Sequence, residues 1–322
     1  MIRYSRVIGT GGYLPEEIRT NEQISETVDT SDSWIYERTG IKSRRIAGAH
    51  ESAASMAEIA ARQAIDAAGC DPQTIDLIIV ATGTPDLVYP STGCLLQQRL
   101  GIKNAVAFDV QAACSGSIFA LSIADQYIKS GTAKTVLVVG SEICSRIVDW
   151  TDRGTCILFG DGAGALLLSV TNEPGVLSTH IHSDGDFKDL LYCPLPQTSV
   201  NKNEQEAGYI SMRGNEVFKV AVNTLGRIVD ETLEANNMDR SEIDWLVPHQ
   251  ANIRIIAATA KKLKMSMKQV VVTLETQGNT SSASVLLAFN EAICDGRIKR
   301  GQVVLLEAFG AGFTWGSALI KY

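Results

Sequence analysis

Cys114, His249 and Asn279 are the residues of this chain whose side-chain types could together support chemistry at a cysteine nucleophile. Cys114 follows a strand-like segment, residues 105–110, and precedes an apolar helical segment, residues 118–124. Its small neighbours allow a sharp turn, and the free N–H groups and dipole of a helix start favour a thiolate. The sequence therefore predicts a nucleophile at Cys114, with a buried packing cysteine as the alternative.

His249 and Asn279 both lie in polar segments next to regular elements. His249 comes directly after the apolar run Leu246–Pro248, at the end of a predicted strand, where α/β proteins place their ligands. A histidine satisfied within the core is the alternative for this position. Asn279 lies in a segment rich in serine, residues 277–284, where it could simply cap the helix that follows. The residue types alone leave these alternatives open.

No motif for a disulfide framework, a metal site or a phosphate loop accompanies these residues. His180 and His182 alternate along a strand-like stretch without an evident set of further ligands. The glycines at residues 9–12 lack the spacing of a dinucleotide fingerprint, and no Gly-Lys-Ser/Thr loop occurs. The cysteines are odd in number and scattered, without a Cys-x-x-Cys pair: Cys70, Cys94, Cys114, Cys144, Cys156, Cys193 and Cys294.

The composition indicates a globular protein with a large core. The chain has 322 residues, 45% of them hydrophobic, and a formal net charge of -7. This charge gives no general preference for nucleic acid or for an anionic membrane surface. No apolar run approaches the roughly 18 residues that span a bilayer, and no signal peptide follows Met1. We therefore expect a cytoplasmic protein without nucleic-acid or membrane partners.

The elements that must position these residues follow an α/β pattern. Short runs rich in valine, isoleucine and leucine alternate with helix-like stretches, which is typical of strands buried on both faces. The predicted strands are Leu77–Val80, Val136–Val139, Ala165–Val170, Trp245–Val247, Val270–Thr273 and Val303–Leu306.

An internal repeat indicates that the chain consists of two related halves. Residues 64–80 resemble residues 232–247, since in both a helix ends, a turn follows and Ile-Asp leads into a strand. The two aspartates of this pattern are 168 positions apart, and the strands that begin at Val136 and Val303 are 167 apart. Such a long period points to two similar domains rather than a solenoid. We predict a boundary that divides the chain into 1–172 and 173–322.

The repeat also suggests where the chemical residues meet. Pseudo-twofold packing of two α/β halves would bring equivalent strand and helix ends together at their interface. An offset of 168 relates Ala81, at the end of the first strand, to His249. An offset of 167 relates Cys114 to Ser281, two residues past Asn279, a mismatch that a small loop deletion would explain. We therefore expect Cys114, His249 and Asn279 to converge.

Several motifs, in this order, make the sequence similar to a known family. It resembles β-ketoacyl-acyl-carrier-protein synthase III, the initiating condensing enzyme of bacterial type II fatty acid synthesis, over essentially the whole chain. The resemblance implies the thiolase-like fold, with two pseudo-twofold-related halves in αβαβα layers, and a homodimer. The motifs are Asp29–Trp34 with Arg38–Ile41, Ala112–Gly116, Thr151–Thr155 with Phe159–Ala165, Val247–Asn252, Gly278–Ser281 and Glu307–Phe313.

The resemblance implies a role for each residue of the candidate site. Cys114 would accept the acyl group, and His249 and Asn279 would stabilise the enolate that malonyl-acyl-carrier protein forms on losing carbon dioxide. The backbone N–H groups of Cys114 and Ala311 would form the oxyanion hole. Family members often have glycine where this chain has Ala311, and an amide still serves there.

The resemblance also implies binding residues around this centre. Trp34 and Arg38 would stack on the two faces of the coenzyme A adenine. Tyr89 would belong to a segment that reaches across the dimer to wall the acyl pocket, and its ring suggests short starters. Further coenzyme A contacts would come from Thr30, Arg153 and Asn252. The acidic carrier protein would meet a basic surface of Lys219, Arg254, Lys261 and Lys262.

The implied function is the decarboxylative Claisen condensation of a short-chain acyl-CoA, with acetyl-CoA as the expected starter, and malonyl-acyl-carrier protein. The coenzyme A thioester is a substrate, and the chemistry needs no metal or redox cofactor. Three alternatives remain open: a sibling condensing enzyme of secondary metabolism with another starter or a CoA-bound extender, a cysteine hydrolase, and a noncatalytic protein that binds acyl thioesters. The starter's chain length is left undecided.

Overall fold

Two open β-sheets, one formed by each half of the sequence, make up the framework of the protein. The computed structural model describes residues 3–195 and 208–322. The strands of this part are β1 (Tyr4–Tyr13), β2 (Glu17–Thr20), β3 (Ser43–Ile46), β4 (Leu77–Ala81), β5 (Val106–Val110), β6 (Thr135–Ile143), β7 (Asp161–Thr171), β8 (Val176–Ser183), β9 (Leu191–Tyr192), β10 (Ser211–Met212), β11 (Trp245–Pro248), β12 (Val303–Gly310) and β13 (Thr314–Lys321). The helices are α1 (Asn21–Ser25), α2 (Asp32–Thr39), α3 (Ala53–Ala68), α4 (Thr92–Leu100), α5 (Gly116–Ser130), α6 (Gly214–Asn236), α7 (Ile253–Leu263), α8 (Leu274–Gln277) and α9 (Ser284–Cys294).

The first sheet has the strand order β1-β7-β6-β4-β5, and the second has the order β11-β12-β13-β8. In the first sheet β4 runs parallel to both β5 and β6, and in the second β11 runs parallel to β12. Every residue of β4 and of β6 is buried, as expected for strands covered on both faces. The strands predicted from these apolar runs are confirmed. A strand that is apolar on both faces is stable only where a layer covers each face of its sheet.

The helices complete five layers around the two sheets. On the outer side α3 packs against β1, β6 and β7, and α6 packs against β8, β12 and β13. Between the sheets lie α5 and α9, which contact strands of both. The middle helix α9 buries apolar side chains on several sides, including Val285, Leu286, Leu287 and Phe289, because it has a sheet on each face. This αβαβα arrangement confirms the predicted α/β class and thiolase-like fold.

Several elements of the two halves correspond at one offset. The starts of β4 and β11, of β6 and β12, and of α5 and α9 are each 168 positions apart, as are the ends of α3 and α6. The first sheet ends with β7 at Thr171, and the second half of the chain enters its sheet at Val176. A division at residues 172 and 173 falls between these strands and stays a prediction.

The predicted strand Val270–Thr273 is wrong. In this segment Val270 forms only an isolated bridge with Leu246, and α8 begins directly afterwards. The backbone N–H groups of Thr273 and Leu274 donate instead to the side-chain oxygen of Gln250, at 2.8 and 3.2 Å. Because one buried side chain satisfies these amides, the apolar segment needs no neighbouring strand.

The loop deletion proposed to relate Cys114 to Asn279 is also wrong. Helix α9 begins 168 positions after α5, and the turn before each helix keeps the same offset, so no residue is missing here. The counterpart of Cys114 is therefore Ser282, and the counterpart of Asn279 is Gln111. Asn279 comes to the candidate site from a position that the repeat alone does not relate to Cys114.

Candidate active site

Cys114 lies in a tight turn between a strand and a helix. After β5 ends, residues 113–115 form one 3-10 turn that leads into α5. Ala113, directly before the cysteine, adopts φ 45°, a left-handed conformation that a small side chain tolerates most easily. The predicted junction is confirmed, and it places the thiol at the start of α5 with only 7% of the residue exposed.

Burial works against the thiolate that the helix position favours. Burial is the main cause that raises the pKa of the Cys114 thiol to about 12, and the Glu142 carboxylate acts in the same direction. The Ser281 hydroxyl and the backbone amide of Cys114 lower the pKa, but by less than burial raises it. The thiol is therefore neutral in the free protein.

His249 follows β11 and is held from two sides. Its backbone N–H donates to the carbonyl of Glu307 at 2.8 Å, which fixes the chain at the end of the second sheet. Its ring atom Nδ1 lies 2.5 Å from the hydroxyl oxygen of Ser284, in the first turn of α9. Burial lowers the pKa of His249 to about 3, so the ring is neutral. The remaining ring nitrogen, Nε2, is the one available to a substrate.

Asn279 links the two halves through its backbone and orients its side chain locally. Its N–H donates to the carbonyl of Leu158 at 2.8 Å, and its own carbonyl accepts from Gly160 at 3.0 Å. The side-chain oxygen accepts from the Ser281 N–H at 2.9 Å. This bond closes the turn before α9 but does not cap the helix, whose N-cap is Ala283 without a side-chain hydrogen bond, so the capping alternative is wrong. The Nδ2 amide group has no hydrogen-bond partner within the described residues and is available as a donor.

One cavity of about 660 Å³ joins these side chains to the surface. Cys114, His249 and Asn279 all line it, although they lie far apart in the sequence. Of the other predicted binding residues, Trp34, Arg38, Arg153, Asn252 and Arg254 also line it. Thr30, Tyr89, Lys219, Lys261, Lys262 and Ala311 do not.

Two guanidinium groups cover the Trp34 ring. The guanidinium carbon of Arg38 lies 4.2 Å from the ring centre, and that of Arg153 lies 5.0 Å from it. An adenine stacked between the indole and a guanidinium needs about 7 Å, twice the carbon contact distance of roughly 3.5 Å. The predicted sandwich of Trp34 and Arg38 therefore requires the Arg38 side chain to move aside.

The other predicted coenzyme A residues have contacts within the protein. The Asn252 side chain caps α7 by accepting from the Arg254 N–H at 2.8 Å, and it donates to the carbonyl of Arg38 at 2.9 Å. Arg153 donates to the carbonyl of Asp29 at 3.0 Å. Thr30 lies outside the cavity lining, and its buried hydroxyl has no hydrogen-bond partner within the described residues. These contacts shape the mouth of the cavity from both halves.

The four basic residues predicted to meet the carrier protein lie on α6 and α7, and all four are exposed. The guanidinium of Arg254 lies 4.9 Å from the centre of the Phe218 ring at the cavity mouth. Lys262 forms an ion pair with Asp230 at 2.9 Å, which neutralises much of its charge. Lys219, Arg254 and Lys261 have no ion pair within the described residues, so they carry most of the available positive charge.

The turn between β12 and β13 closes against the nucleophile. Gly310 lies so near Cys114 that a Cβ atom there would stand 2.7 Å from the cysteine's backbone nitrogen. The Thr314 hydroxyl donates to the carbonyl of Ala112 at 2.8 Å, and the Ser115 hydroxyl donates to the carbonyl of Thr314 at 3.0 Å. These bonds hold the residue after Gly310, which is Ala311, beside the turn that carries Cys114.

Tyr89 lies away from the cavity of its own chain. Its side chain is 84% exposed, and the neighbouring Leu87 and Val88 are exposed as well. The segment therefore forms a protruding apolar surface on the first half. Within one chain it cannot wall the acyl pocket.

Three residues of the site were missed by the sequence interpretation: Glu142, Ser281 and Ser284. Glu142 is a carboxylate in the otherwise apolar and buried strand β6, and this exception was the available signal. Ser281 and Ser284 fall within the serine-rich segment around Asn279, but no spacing rule shows which hydroxyl meets which partner. Their contacts depend on the packing of the two halves.

His180 and His182 share a partner that the sequence did not reveal. Nδ1 of His180 and Nε2 of His182 lie 3.2 and 2.9 Å from the carboxylate of Glu231 on α6. Across residues 3–195 and 208–322, no group of three or more His, Cys, Asp or Glu side chains is arranged to hold a metal ion. No helix in the same ranges is both long and apolar enough to cross a membrane.

Comparison with known proteins gives consistent matches across the chain. Residues 108–185 match the family model of 3-oxoacyl-(acyl-carrier-protein) synthase III, and residues 233–322 match the model of its C-terminal part. The β-ketoacyl-(acyl-carrier-protein) synthase III of Methylococcus capsulatus is 66% identical over 322 residues, covering 100% of both chains.

Solved structures agree with these sequence matches. The crystal structure of 3-oxoacyl-(acyl-carrier-protein) synthase III from Aquifex aeolicus superposes with a TM-score of 0.93 at 46% identity, covering 99% of this chain and 100% of that one. The priming β-ketosynthase of the R1128 polyketide biosynthetic pathway gives a TM-score of 0.95 at 36% identity, with 99% and 96% covered. The similarity therefore extends over both halves of the chain.

Proposed function

The chain belongs to the β-ketoacyl-(acyl-carrier-protein) synthase III family of condensing enzymes, and we propose that it joins an acyl-CoA to malonyl-acyl-carrier protein through an acyl-Cys114 intermediate. The observation that carries this proposal is the single cavity lined by Cys114, His249 and Asn279. A thiol and two neutral donors are what the two half-reactions need. The product is a 3-oxoacyl-acyl-carrier protein, which starts fatty acid synthesis.

In the first half-reaction the acyl group moves from coenzyme A to Cys114. The sulfur attacks the thioester carbonyl, and the free energy of the first thioester is retained in the second. The negative charge that develops on the carbonyl oxygen is stabilised by the N–H groups of Cys114 and Ala311. The close approach of Gly310 to the Cys114 backbone supports this pairing.

In the second half-reaction malonyl-acyl-carrier protein loses carbon dioxide and forms an enolate. Nε2 of His249 and Nδ2 of Asn279 donate to the enolate oxygen, because their partner atoms Nδ1 and Oδ1 are already engaged. The low pKa of His249 keeps the ring neutral, so it acts as a hydrogen-bond donor rather than as an ionised acid. The enolate carbon then attacks the acyl-Cys114 carbonyl.

The substrates approach from the mouth of the cavity. Trp34, Arg38 and Arg153 bind the adenine and phosphates of coenzyme A, with Thr30 and Asn252 beside them. The acidic carrier protein docks on the basic surface formed by Lys219, Arg254, Lys261 and Lys262, in which the three residues without an ion pair contribute most. The reaction uses no metal or redox cofactor, since the thioesters supply the chemistry.

The protein acts as a homodimer that joins the two first sheets. Strand β5 is the edge of its sheet, and Val106 on it is 61% exposed. An exposed apolar edge strand tends to pair with another chain, and a second copy related by a twofold axis covers it. The protruding Tyr89 then reaches the partner's cavity and limits its length, which favours short starters. The seven cysteines are all free, which suits the reducing cytoplasm.

Intact-mass analysis with peptide mapping tests the proposal. The enzyme is incubated with a panel of acyl-CoA thioesters, and we expect one acyl group per chain, on Cys114, with acetyl-CoA among the best donors. Adding malonyl-acyl-carrier protein should remove the group and form the 3-oxoacyl product. An acyl group on another cysteine, or hydrolysis without condensation, would contradict the proposal.

A sibling condensing enzyme is the second candidate, because the R1128 priming ketosynthase superposes as well as the fatty acid enzymes do. The same assay separates the two. A preference for malonyl-CoA over malonyl-acyl-carrier protein, or for a starter other than a short acyl group, would favour the sibling function.

A further inference from the structure

Glu142 is a buried carboxylate that the two half-reactions described so far do not use. It lies in β6 with 1% of its surface exposed, and no lysine, arginine or histidine pairs with it within the described residues. Its atom Oε2 accepts from the Gly83 N–H at 3.0 Å and from the Thr84 hydroxyl at 2.7 Å, and Oε1 accepts from the Ser281 hydroxyl at 3.1 Å. These donors oppose the rise in the carboxyl pKa that burial causes. A carboxylate kept in the interior without a cation is costly, so its contacts need an explanation.

Ser281 connects this carboxylate to the candidate active site. Its hydroxyl donates to Oε1 of Glu142, and its backbone N–H donates to Oδ1 of Asn279 at 2.9 Å. The second of these is the one hydrogen bond that the Asn279 side chain forms within the described residues. Glu142, Ser281 and Asn279 are therefore joined in a row by two direct hydrogen bonds, and both are donated by the middle residue.

The Ser281 N–H determines which end of the Asn279 amide is available to a substrate. A backbone N–H can only donate, so the amide atom that faces it is the oxygen, and the Nδ2 group is directed away from it. An enolate oxygen accepts hydrogen bonds, so its stabilisation requires Nδ2 and not Oδ1. An amide turned by half a rotation would place its oxygen against the enolate oxygen. The useful orientation of Asn279 therefore depends on where the Ser281 backbone is held.

The backbone of Ser281 has a conformation that needs support. Its φ is 49°, in the left-handed region, which is unfavourable for a residue that carries a side chain. The hydroxyl of the same residue is bound to Glu142, which lies in a strand whose residues are all buried. Because β6 packs directly against the turn of residues 281–283, the carboxylate ties this turn to a rigid part of the first half.

The internal repeat contains the same support in a second form. The counterpart of Ser281 is Ala113, which is also left-handed with φ 45°, and the counterpart of Glu142 is Gly310. At Gly310 a Cβ atom would stand 2.7 Å from the backbone nitrogen of Cys114, so there the strand end contacts the turn directly. At the other strand end the Glu142 side chain spans the distance to the turn. Each strand end thus supports the turn that carries a chemical group of the other half.

We propose that Glu142 is a positioning residue for decarboxylation: through the Ser281 hydroxyl it holds the Ser281 N–H on Oδ1 of Asn279, so that Nδ2 is presented to the enolate oxygen. This inference rests on the proposed function. Glu142 is not among the residues that line the cavity, so it acts through Asn279 and not on the substrate. Acylation uses the Cys114 thiol and the N–H groups of Cys114 and Ala311, none of which is hydrogen-bonded to Glu142 within the described residues. The two half-reactions should therefore respond differently to its loss.

Two variants, Glu142→Gln and Ser281→Ala, remove the connecting bond from its two ends. Oε2 has the shorter bonds, to Thr84 and Gly83, so a glutamine should keep its oxygen there and turn its NH2 group, which cannot accept, towards Ser281. Each variant should lower kcat for malonyl-acyl-carrier-protein decarboxylation by about 10- to 100-fold, less than removal of the donor itself in Asn279→Ala. The KM for malonyl-acyl-carrier protein and the rate of self-acylation by acetyl-CoA should each stay within about twofold of wild type.

A double-mutant cycle separates positioning from a general loss of structure. In the Asn279→Ala background there is no amide to orient, so adding Glu142→Gln or Ser281→Ala should cause little further loss of decarboxylation. A merely structural role would instead give losses that multiply. Ser145→Ala is the matched control, because its hydroxyl donates at 2.6 Å to another buried carboxylate, Asp161, outside the cavity lining. This control should leave both half-reactions unaltered.

The outcomes separate this inference from the proposed function. If the wild-type enzyme forms no acyl-Cys114 or does not decarboxylate malonyl-acyl-carrier protein, the proposed function itself fails. If the wild-type enzyme performs both half-reactions, the positioning role is overturned when Ser281→Ala lowers both equally, lowers neither, or multiplies the loss caused by Asn279→Ala. Ser281→Ala removes a single oxygen atom, so it decides the result even where Glu142→Gln fails to fold.

Discussion

Nδ1 of His249 and the hydroxyl oxygen of Ser284 lie 2.5 Å apart in the buried interface between the two halves. The Gln250 N–H donates to the same hydroxyl oxygen at 3.4 Å, and the hydroxyl hydrogen has no other acceptor within the described residues. Ser284 therefore donates to Nδ1, which places the ring hydrogen on Nε2. A serine of the second half thus sets the tautomer that the enolate requires.

Ser284→Ala should impair decarboxylation more than self-acylation. Without the donor, the His249 ring can place its hydrogen on either nitrogen, and the Nε2–H form loses its advantage. We expect a loss of about 10-fold in malonyl decarboxylation, from one buried hydrogen bond of about 1–2 kcal/mol. Nitrogen NMR of the 4 histidines should show His249 changing from the Nε2–H tautomer to a mixture.

Ser284→Thr retains the hydroxyl and serves as the control for this change. It should retain the Nε2–H tautomer, even if its extra methyl group lowers stability. Loss of decarboxylation with an unchanged tautomer would show that Ser284 acts only through packing.

His249→Ala and Asn279→Ala should separate the two half-reactions. Each should retain acyl-enzyme formation, measured by intact mass, while decarboxylation and condensation fall together by about 100- to 1000-fold, the usual effect of losing one such donor. The effects should be non-additive in the double variant, because both groups bind one oxygen. A folded variant with normal decarboxylation and no acylation would reverse the roles.

Charge reversal on α6 and α7 should weaken carrier-protein binding selectively. Arg254→Glu and Lys219→Glu should each raise the KM for malonyl-acyl-carrier protein, with a loss that shrinks at high salt, because the attraction is screened. Lys219 lies outside the cavity lining, so its change should leave acylation by acetyl-CoA unaltered.

Lys321→Glu makes the same change of charge at an exposed position at the end of β13 and should leave both half-reactions unaltered. Equal damage to both half-reactions by Arg254→Glu would place that residue in the path shared by both substrates.

Glu307 should make stability fall as the pH rises. Burial raises the pKa of its carboxyl to about 8 in the folded protein, from an unfolded value of 4.5, and neither oxygen has a hydrogen-bond partner within the described residues. Between these values the native state binds the extra proton, so this contribution is complete below pH 4.5 and is lost as the pH rises through 8, by roughly 1.4 kcal/mol per pH unit.

Glu307→Gln should remove that dependence. Its Tm should exceed that of the wild-type protein above pH 8, and the difference should vanish near pH 4.5. A difference that is independent of pH would show that the carboxyl does not titrate between these values.

The sequence alone was sufficient to predict buried strands, the internal repeat and part of the candidate site. Apolar runs such as residues 77–80 predict buried strands, because only a position between two layers satisfies them. The repeat predicts that His249 replaces Ala81 at an equivalent strand end, and the starts of β4 and β11 keep that offset. The run of residues 270–273 failed as a strand, because one side chain, Gln250, satisfies amides that a neighbouring strand would otherwise bind.

The tertiary structure alone decided how the chemical groups are held. The repeat relates Cys114 to Ser282 and His249 to Ala81. The Ser282 hydroxyl donates to the carbonyl of Ala81 at 2.9 Å, so this second pair has a structural role. The contacts of Ser281 with Glu142 and of Ser284 with His249 join residues 139 and 35 positions apart. Hydrogen bonds are short and directional, so their partners depend on how two sheets and two middle helices pack, and no pattern of residue types along one chain specifies them.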